Sequence, residues 1–269
     1  MDSSSFRQIS EFVKGKYGID LSTKEAIVEG RLINMVTKEG YASIGDYFNS
    51  MLNDTTGQME KRMINILTTN HTYFMREFEH FEFLKDEILP FYKSKLKNTK
   101  DLRIWCGAAS TGEEPYMIAM TILQFFGFEK NEWDTKVLAT DISTEVLRTA
   151  IAGEYSSEAL EKMSDYWKRR FFKPGSSPGT VSVTDELKKE VIFRQFNLMD
   201  DFPFKRQMHV VFLRNVMIYF DVPTKNRLVE KIYNLLEPGG YLIVGKTEAI
   251  DTAVIPFEMI KPSVFRKPL

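Results

Sequence analysis

Cysteine is nearly absent from this chain of 269 residues: Cys106 stands alone. A disulfide within the chain and a cysteine-built metal cluster are therefore excluded, and no metal is expected. Histidine is scarce, at His71, His80 and His209, and no nucleophile–base signature accompanies it. A charge excess is missing too: 36 basic and 37 acidic residues leave a formal net charge of −1. That removes the bulk electrostatic case for a nucleic-acid partner. No apolar run reaches membrane length and no leader pattern is present, so a cytoplasmic protein without direct membrane insertion is expected. The dinucleotide fingerprint G-x-G-x-x-G and the Gly-Lys-Ser/Thr of a P-loop are both absent.

What is present centres on residues 101–116, Asp-Leu-Arg-Ile-Trp-Cys-Gly-Ala-Ala-Ser-Thr-Gly-Glu-Glu-Pro-Tyr. Leu102, Ile104 and Trp105 read as a buried strand. Gly107, Ala108, Ala109 and Ser110 are too small to pack a core and let another group approach the backbone. Residues 111–115 read as a helix start, with a threonine hydroxyl to cap it and two carboxylates in its first turn. A strand, small-residue turn and helix is where nucleotide-like cofactors bind in open α/β sheets. Two glutamates at a helix N-terminus do not suit phosphate; they suit a positively charged cofactor, an amino group or ribose hydroxyls.

Residues 1–90 carry only helical periodicity. Phe6, Ile9, Phe12 and Val13 give a first helix that the stretch 14–18 interrupts. Ser22 or Thr23 is expected to cap a second, which stops at Gly40. Ile44 to Leu52 and Met59 to Leu67 supply two more apolar faces. After the central stretch, residues 136–143 form a second apolar run ending in Asp141. An acid there either holds a ribose diol or caps the helix that follows. Residues 154–190 read as an antiparallel insertion, with a Pro/Gly/Ser tip at 173–180 and an alternating strand at 180–184. Residues 191–200, 210–220, 241–245 and 264–265 complete the sheet, with a helix over 223–236. The pair Arg214-Asn215 falls where its strand runs out, and Tyr219 follows one turn on.

Taken together, five stretches resemble the chemotaxis receptor methyltransferase family, CheR, over nearly the whole chain. They are Thr68-Thr-Asn-His-Thr-Tyr-Phe-Met-Arg-Glu77, Ala109-Ser-Thr-Gly-Glu-Glu-Pro-Tyr116, Ala139-Thr-Asp-Ile-Ser-Thr-Glu-Val-Leu147, Phe196-Asn-Leu198 and Arg214-Asn-Val-Met-Ile-Tyr-Phe-Asp221. The resemblance implies an α/β fold: an N-terminal all-helical domain and linker (residues 1–80), then a Rossmann-like class I methyltransferase domain (81–269). A small antiparallel β-subdomain is inserted at 155–190. It implies S-adenosylmethionine as cofactor, with S-adenosylhomocysteine as product. The acceptors would be glutamate side chains in the cytoplasmic domain of methyl-accepting chemoreceptors, with a receptor C-terminal peptide on the β-subdomain in part of the family.

By the same resemblance the cofactor-binding residues are Asn70, Thr72, Arg76, Gly107, Glu113 or Glu114, Asp141, Asn197, Leu198, Arg214 and Asn215, and Arg76 and Tyr219 are the catalytic ones. The chain departs from the family at Met75, where aromatic residues are common, and at Gly245-Lys-Thr-Glu248, where the family has Gly-His-Ser-Glu; no catalytic role is attached to the latter. Along the second helix Lys24, Arg31 and Lys38 alternate with Glu25, Glu29 and Glu39, so it is not a uniformly basic docking face. A glutamate carboxylate, with a pKa near about 4.3, is ionised at neutral pH and needs no general base. Arg76 and Tyr219 are accordingly expected to orient groups and not to move protons. A cofactor-binding adaptor without catalysis would show damage at Asn70, Arg76, Asp141 or Tyr219, and none is seen.

Overall fold

A computed structural model describes residues 1–269. Four helices open the chain: α1 (Ser3–Tyr17), α2 (Glu25–Lys38), α3 (Ile44–Leu52) and α4 (Gln58–Leu67). Asp2 caps α1 by accepting the N–H groups of Ser4 and Ser5. The helix runs through Gly15, contrary to the break expected there, and ends at Gly18, whose φ of 74° is the left-handed geometry of a C-cap. Neither Ser22 nor Thr23 caps α2; Lys24 occupies that position without a side-chain bond. The apolar stripes of these helices meet in one core built on Ile9, Val13, Leu32, Tyr47, Met63 and Leu67.

Residues 68–78 then cross to the second body. There α5 (Glu79–Phe83), a π-helical turn (Leu84–Ile88) and α6 (Leu89–Lys95) precede β1 (Ile104–Gly107), α7 (Glu113–Phe126), β2 (Val137–Asp141) and α8 (Thr144–Ala152). The insertion holds β3 (Glu154–Ser156), α9 (Asp165–Phe171), β4 (Phe172–Pro174), β5 (Thr180–Val183) and α10 (Asp185–Lys188). The chain closes with β6 (Val191–Gln195), β7 (Met208–Leu213), α11 (Val222–Leu235), β8 (Leu236–Val244), β9 (Glu258–Lys261) and β10 (Val264–Arg266). The sequence pattern did not reveal β9. It is an edge strand with Met259 and Ile260 exposed, so no alternation betrays it.

The large sheet has the order β6-β2-β1-β7-β8-β10-β9, and β3-β5-β4 form a separate antiparallel sheet. Strands β6, β2, β1, β7 and β8 pair in parallel, while β10 runs antiparallel to β8. From β1 the chain steps first to β2 and β6, and later returns on the other side to β7. The carboxyl ends of β1, β2 and β7 thus flank the switch point, where an open α/β sheet offers a crevice. Apolar side chains cover both faces: Tyr116, Ile118, Phe81 and Tyr92 pack on one, Trp105, Leu228 and Ile232 on the other. No helix is long and apolar enough to cross a membrane.

His209 on β7 is fully buried; its Nδ1 accepts the Arg103 N–H at 2.8 Å, and burial holds its pKa down at about 4. The unfolded chain binds this proton below about pH 6.5, the folded one only near pH 4. Folding stability contributed by this group is therefore present above pH 6.5 and lost as pH falls toward 4. Urea titrations at pH 6.5 and 4.5 should show His209→Gln losing stability more gently than wild type, by up to about 1.4 kcal/mol per pH unit. Equal slopes would contradict this assignment.

Candidate active site

A cleft of about 290 Å³ lies over the ends of β1, β2 and β7. Its floor begins in the turn after β1. Ala108, Ser110 and Gly112 all have positive φ, of 57°, 50° and 98°. This left-handed path brings the Ser110 N–H to Asp141 Oδ2 at 2.8 Å. Gly112 is needed there, since a Cβ would stand 2.8 Å from the Ala150 Cβ. Gly112, not Thr111, is the N-cap of α7, and the Thr111 hydroxyl instead donates to Glu113 Oε2 at 2.7 Å.

Glu113 and Glu114 part ways at this point. Glu113 is buried behind the turn and does not line the cleft, whereas Glu114 does. Successive helical residues differ in direction by about 100°, so only one of the pair can face the strand ends. Glu114 Oε2 accepts Arg214 Nη1 at 2.6 Å, and Oε1 accepts the Cys106 thiol at 3.3 Å. Burial pushes the Glu114 carboxyl upward in pKa, while Arg214 opposes the shift. Gly107 is likewise absent from the wall: it lies under it, packed so that a Cβ would meet Leu213 at 2.9 Å.

Asp141 ends β2 and is only 6% exposed. Its Oδ1 accepts the Ser143 N–H at 2.9 Å, and burial raises its pKa. Ser143 caps α8, so Asp141 does not. Asn197 and Leu198 lie two and three residues beyond the end of β6, not within it as the pattern suggested. Asn197 Nδ2 donates to the Lys16 carbonyl at 2.9 Å, tying the cleft to the end of α1. Leu198, Ile142 and Phe196 give an apolar wall beside Asp141.

At the other end Arg214, 4% exposed, donates through Nη2 to the Arg76 carbonyl at 2.6 Å, and its Nε has no partner in the chain. Asn215 has φ of 59°, and its N–H donates to Glu248 Oε2 at 2.7 Å. Arg76 Nη1 donates to the His71 carbonyl at 2.8 Å, with the guanidinium over Tyr73. Asn70 Nδ2 donates to Thr68 Oγ1 at 3.2 Å, and its carbonyl accepts the Ser110 hydroxyl at 2.8 Å. Thr72 lines the same wall. Tyr219 sits in the 3-10 turn Met217–Tyr219, half-buried in the cleft wall, with Lys24 Nζ 5.4 Å from its ring centre.

Ten expected residues thus converge: Asn70, Thr72, Arg76, Glu114, Asp141, Asn197, Leu198, Arg214, Asn215 and Tyr219. Sequence reasoning missed Ser110, Glu77 and Glu248, and it missed the wall that the helical region supplies through Ile19, Leu21, Lys24, Ile27 and Arg31. The segment after α1 is pinned by an antiparallel bridge of Ile19 with Phe220 and by the Asp20 N–H to the Tyr219 carbonyl at 2.8 Å.

The donor set fits a nucleoside joined to an amino acid through a cationic centre. Asp141 keeps free lone pairs that would suit a diol beside the apolar wall, Glu114 brings a half-buried carboxylate to the cleft, and Arg76 has donors that would suit a carboxylate. No group of three or more His, Cys, Asp or Glu side chains is placed to hold a metal ion.

Residues 4–68 match the model of the CheR methyltransferase all-alpha domain, and residues 70–265 that of the CheR methyltransferase SAM binding domain. A chemotaxis protein methyltransferase of Borreliella burgdorferi is 36% identical over 265 residues, 97% of this chain and 93% of its own length. Chemotaxis protein methyltransferase 2 of Pseudomonas aeruginosa is 39% identical over 90% of this chain and 85% of its own. The Escherichia coli chemotaxis protein methyltransferase is 36% identical over 92% of this chain and 85% of its own. The chain belongs to the CheR methyltransferase family, and is an S-adenosylmethionine-binding methyltransferase of chemotaxis.

Proposed function

We propose that the protein esterifies specific glutamate side chains in the cytoplasmic domain of membrane chemoreceptors, working in the cytoplasm. The observation that carries this reading is the polarity of the cleft. At the strand ends it holds the carboxylates of Asp141 and Glu114 against the one guanidinium of Arg214, while the wall from the helical region and the linker holds the half-buried cations Lys24, Arg31 and Arg76, with Lys24 over the Tyr219 ring. An acidic interior suits a cationic donor; a basic rim suits a carboxylate acceptor. S-adenosylmethionine, when bound, supplies a methyl carbon on positively charged sulfur.

The chain's own residues then have to align and to exclude water. The acceptor arrives ionised, so none of them needs to remove a proton. Arg76, half-buried and backed by Tyr73, offers a forked pair of donors that fixes a carboxylate plane. Tyr219 accepts the Asp20 N–H at its carbonyl and lines the cleft, and its hydroxyl is assigned to orienting the acceptor. Such alignment is worth roughly 7–11 kcal/mol of a barrier in favourable cases. Tyr219→Phe should accordingly lower turnover about tenfold while leaving S-adenosylmethionine affinity within about twofold. Unchanged turnover would remove Tyr219 from the orienting role.

The β-subdomain supports a tether, because β3 and β4 are both edge strands of a three-stranded sheet and an extended peptide can add to such an edge. Labelled S-adenosylmethionine with receptor cytoplasmic fragments tests the whole reading. Label on glutamate that leaves as methanol in mild base is expected, at a slower rate for fragments lacking their C-terminal peptide. Base-stable label, or label on amino groups, would overturn ester formation. Equal rates with and without the peptide would reject the tether.

A further inference from the structure

We infer that Glu77 is a positioning residue for methyl transfer: its carboxylate fixes Asn215 and Arg214 and locks the turn that carries Arg76. The inference rests on the S-adenosylmethionine-site reading and adds a residue that does not itself line the cleft. Glu77 follows directly on the linker stretch, and Glu77 Oε1 accepts Asn215 Nδ2 at 3.3 Å. Its Oε2 faces Arg214 Nη2 at 3.4 Å and accepts the Lys246 backbone N–H at 3.2 Å. One side chain therefore joins three separate segments: the linker, the turn after β7 and the turn after β8.

The backbone shows that this placement is imposed. Met75 and Glu77 have φ of 69° and 49°, and Asn215 on the other side has 59°. Left-handed geometry is unfavourable for a non-glycine residue and persists where surrounding contacts determine it. Between the two strained residues stands Arg76, with its side chain in the cleft wall and its carbonyl held by Arg214 at 2.6 Å. The peptide joining residues 76 and 77 is thus clamped from both sides. Arg214 at the carbonyl sets one side, and the Glu77 carboxylate on Asn215 and Lys246 sets the other.

The remaining neighbour of the carboxylate does not compete with this role. His80 Nδ1 lies 3.5 Å from Glu77 Oε2, and His80 Nε2 is engaged with the Ser263 hydroxyl at 2.8 Å. Burial keeps that imidazole neutral down to about pH 4, so at neutral pH it brings no charge to Glu77. The Lys246 side chain pairs with Glu79 and leaves only its backbone N–H to Glu77. The carboxylate is therefore committed to Arg214, Asn215 and a backbone donor.

The test is a cycle of Glu77→Gln, Asn215→Ala and the double variant. It is read by isothermal titration with S-adenosylmethionine, by turnover with labelled cofactor and by thermal unfolding. Each single substitution should weaken cofactor binding or lower turnover about tenfold. The double variant should be no worse than about threefold beyond either single, because both break one link. Glu77→Asp keeps the charge but is one methylene too short for Asn215; it should reproduce the loss with little change in melting temperature. Wild-type affinity and turnover in Glu77→Asp or Glu77→Gln, or fully multiplicative losses in the double variant, would overturn the positioning role. Failure of the wild-type chain to bind S-adenosylmethionine would instead overturn the site reading on which the inference stands.

Discussion

Arg214→Met should destabilise the protein by about 3–5 kcal/mol, the range for removing one partner of a buried ion pair. Arg214 is the single cation against Glu114 Oε2 at 2.6 Å and Glu77 Oε2 at 3.4 Å, and it also holds the Arg76 carbonyl. Methionine fills much of the volume and supplies none of these donors. Glu114 already has its pKa raised by burial, and without Arg214 it rises further. A carboxyl whose folded pKa is raised favours the folded state below its unfolded value, and that contribution is lost as pH climbs through the folded pKa. The deficit of Arg214→Met should therefore be smaller at pH 5 than at pH 8. Adding Glu114→Gln should recover part of it at pH 8. Chemical unfolding of the three chains at both pH values checks this, and a loss below about 1 kcal/mol at pH 8 would show that the pair is not coupled as described.

Glu248→Ala should cost about 3–4 kcal/mol, though Glu248 touches no other charged side chain in the site. Its Oε1 accepts the Met217 N–H at 2.7 Å, and its Oε2 accepts those of Asn215 and Gly245, both at 2.7 Å. The residue is 7% exposed. Each buried N–H left without an acceptor costs roughly 1–3 kcal/mol, reduced where water enters the vacated space. Gly245 must be glycine for the carboxylate to come this close, since a Cβ there would stand 2.8 Å from Glu248 Oε2 and 2.4 Å from Asn215 Nδ2. Glu248→Gln retains one acceptor oxygen and should lie between wild type and alanine. A melting temperature lowered by about 2–4 °C per kcal/mol is the readout. The alanine variant melting as wild type does would contradict the account of this turn.

Both residues bear on what a sequence can and cannot show. The strands β1, β2 and β7 were legible because a buried parallel strand is a short apolar run, and Asp141 and Arg214 were legible because the first ends such a run and the second directly follows one. Choosing between Glu113 and Glu114 was not possible from spacing. The phase of α7 is set by Ala108, Ser110 and Gly112, three left-handed residues whose combined rotation no periodicity records. Glu248 stood in a recognisable stretch but drew no role, because its partners are backbone N–H groups and carry no residue signature. The wall from the helical region escaped for a different reason. Lys24 and Arg31 read as charges alternating along a surface helix, whereas the bridge of Ile19 with Phe220 and the bond of Asp20 to the Tyr219 carbonyl hold that surface against the cleft.

S-adenosylmethionine is expected to occupy the cleft over β1, β2 and β7 and to be held there through Asp141. Isothermal titration of wild type and Asp141→Ala with S-adenosylmethionine and S-adenosylhomocysteine tests it most directly. Binding of both by wild type, weakened about ten- to a hundredfold in Asp141→Ala, is the expected result, since a buried carboxylate bonded to a ligand hydroxyl contributes about 1.5–3 kcal/mol and Asp141 also orders Ser110. Equal affinity in the two chains would contradict it, and would place the cofactor elsewhere in the molecule.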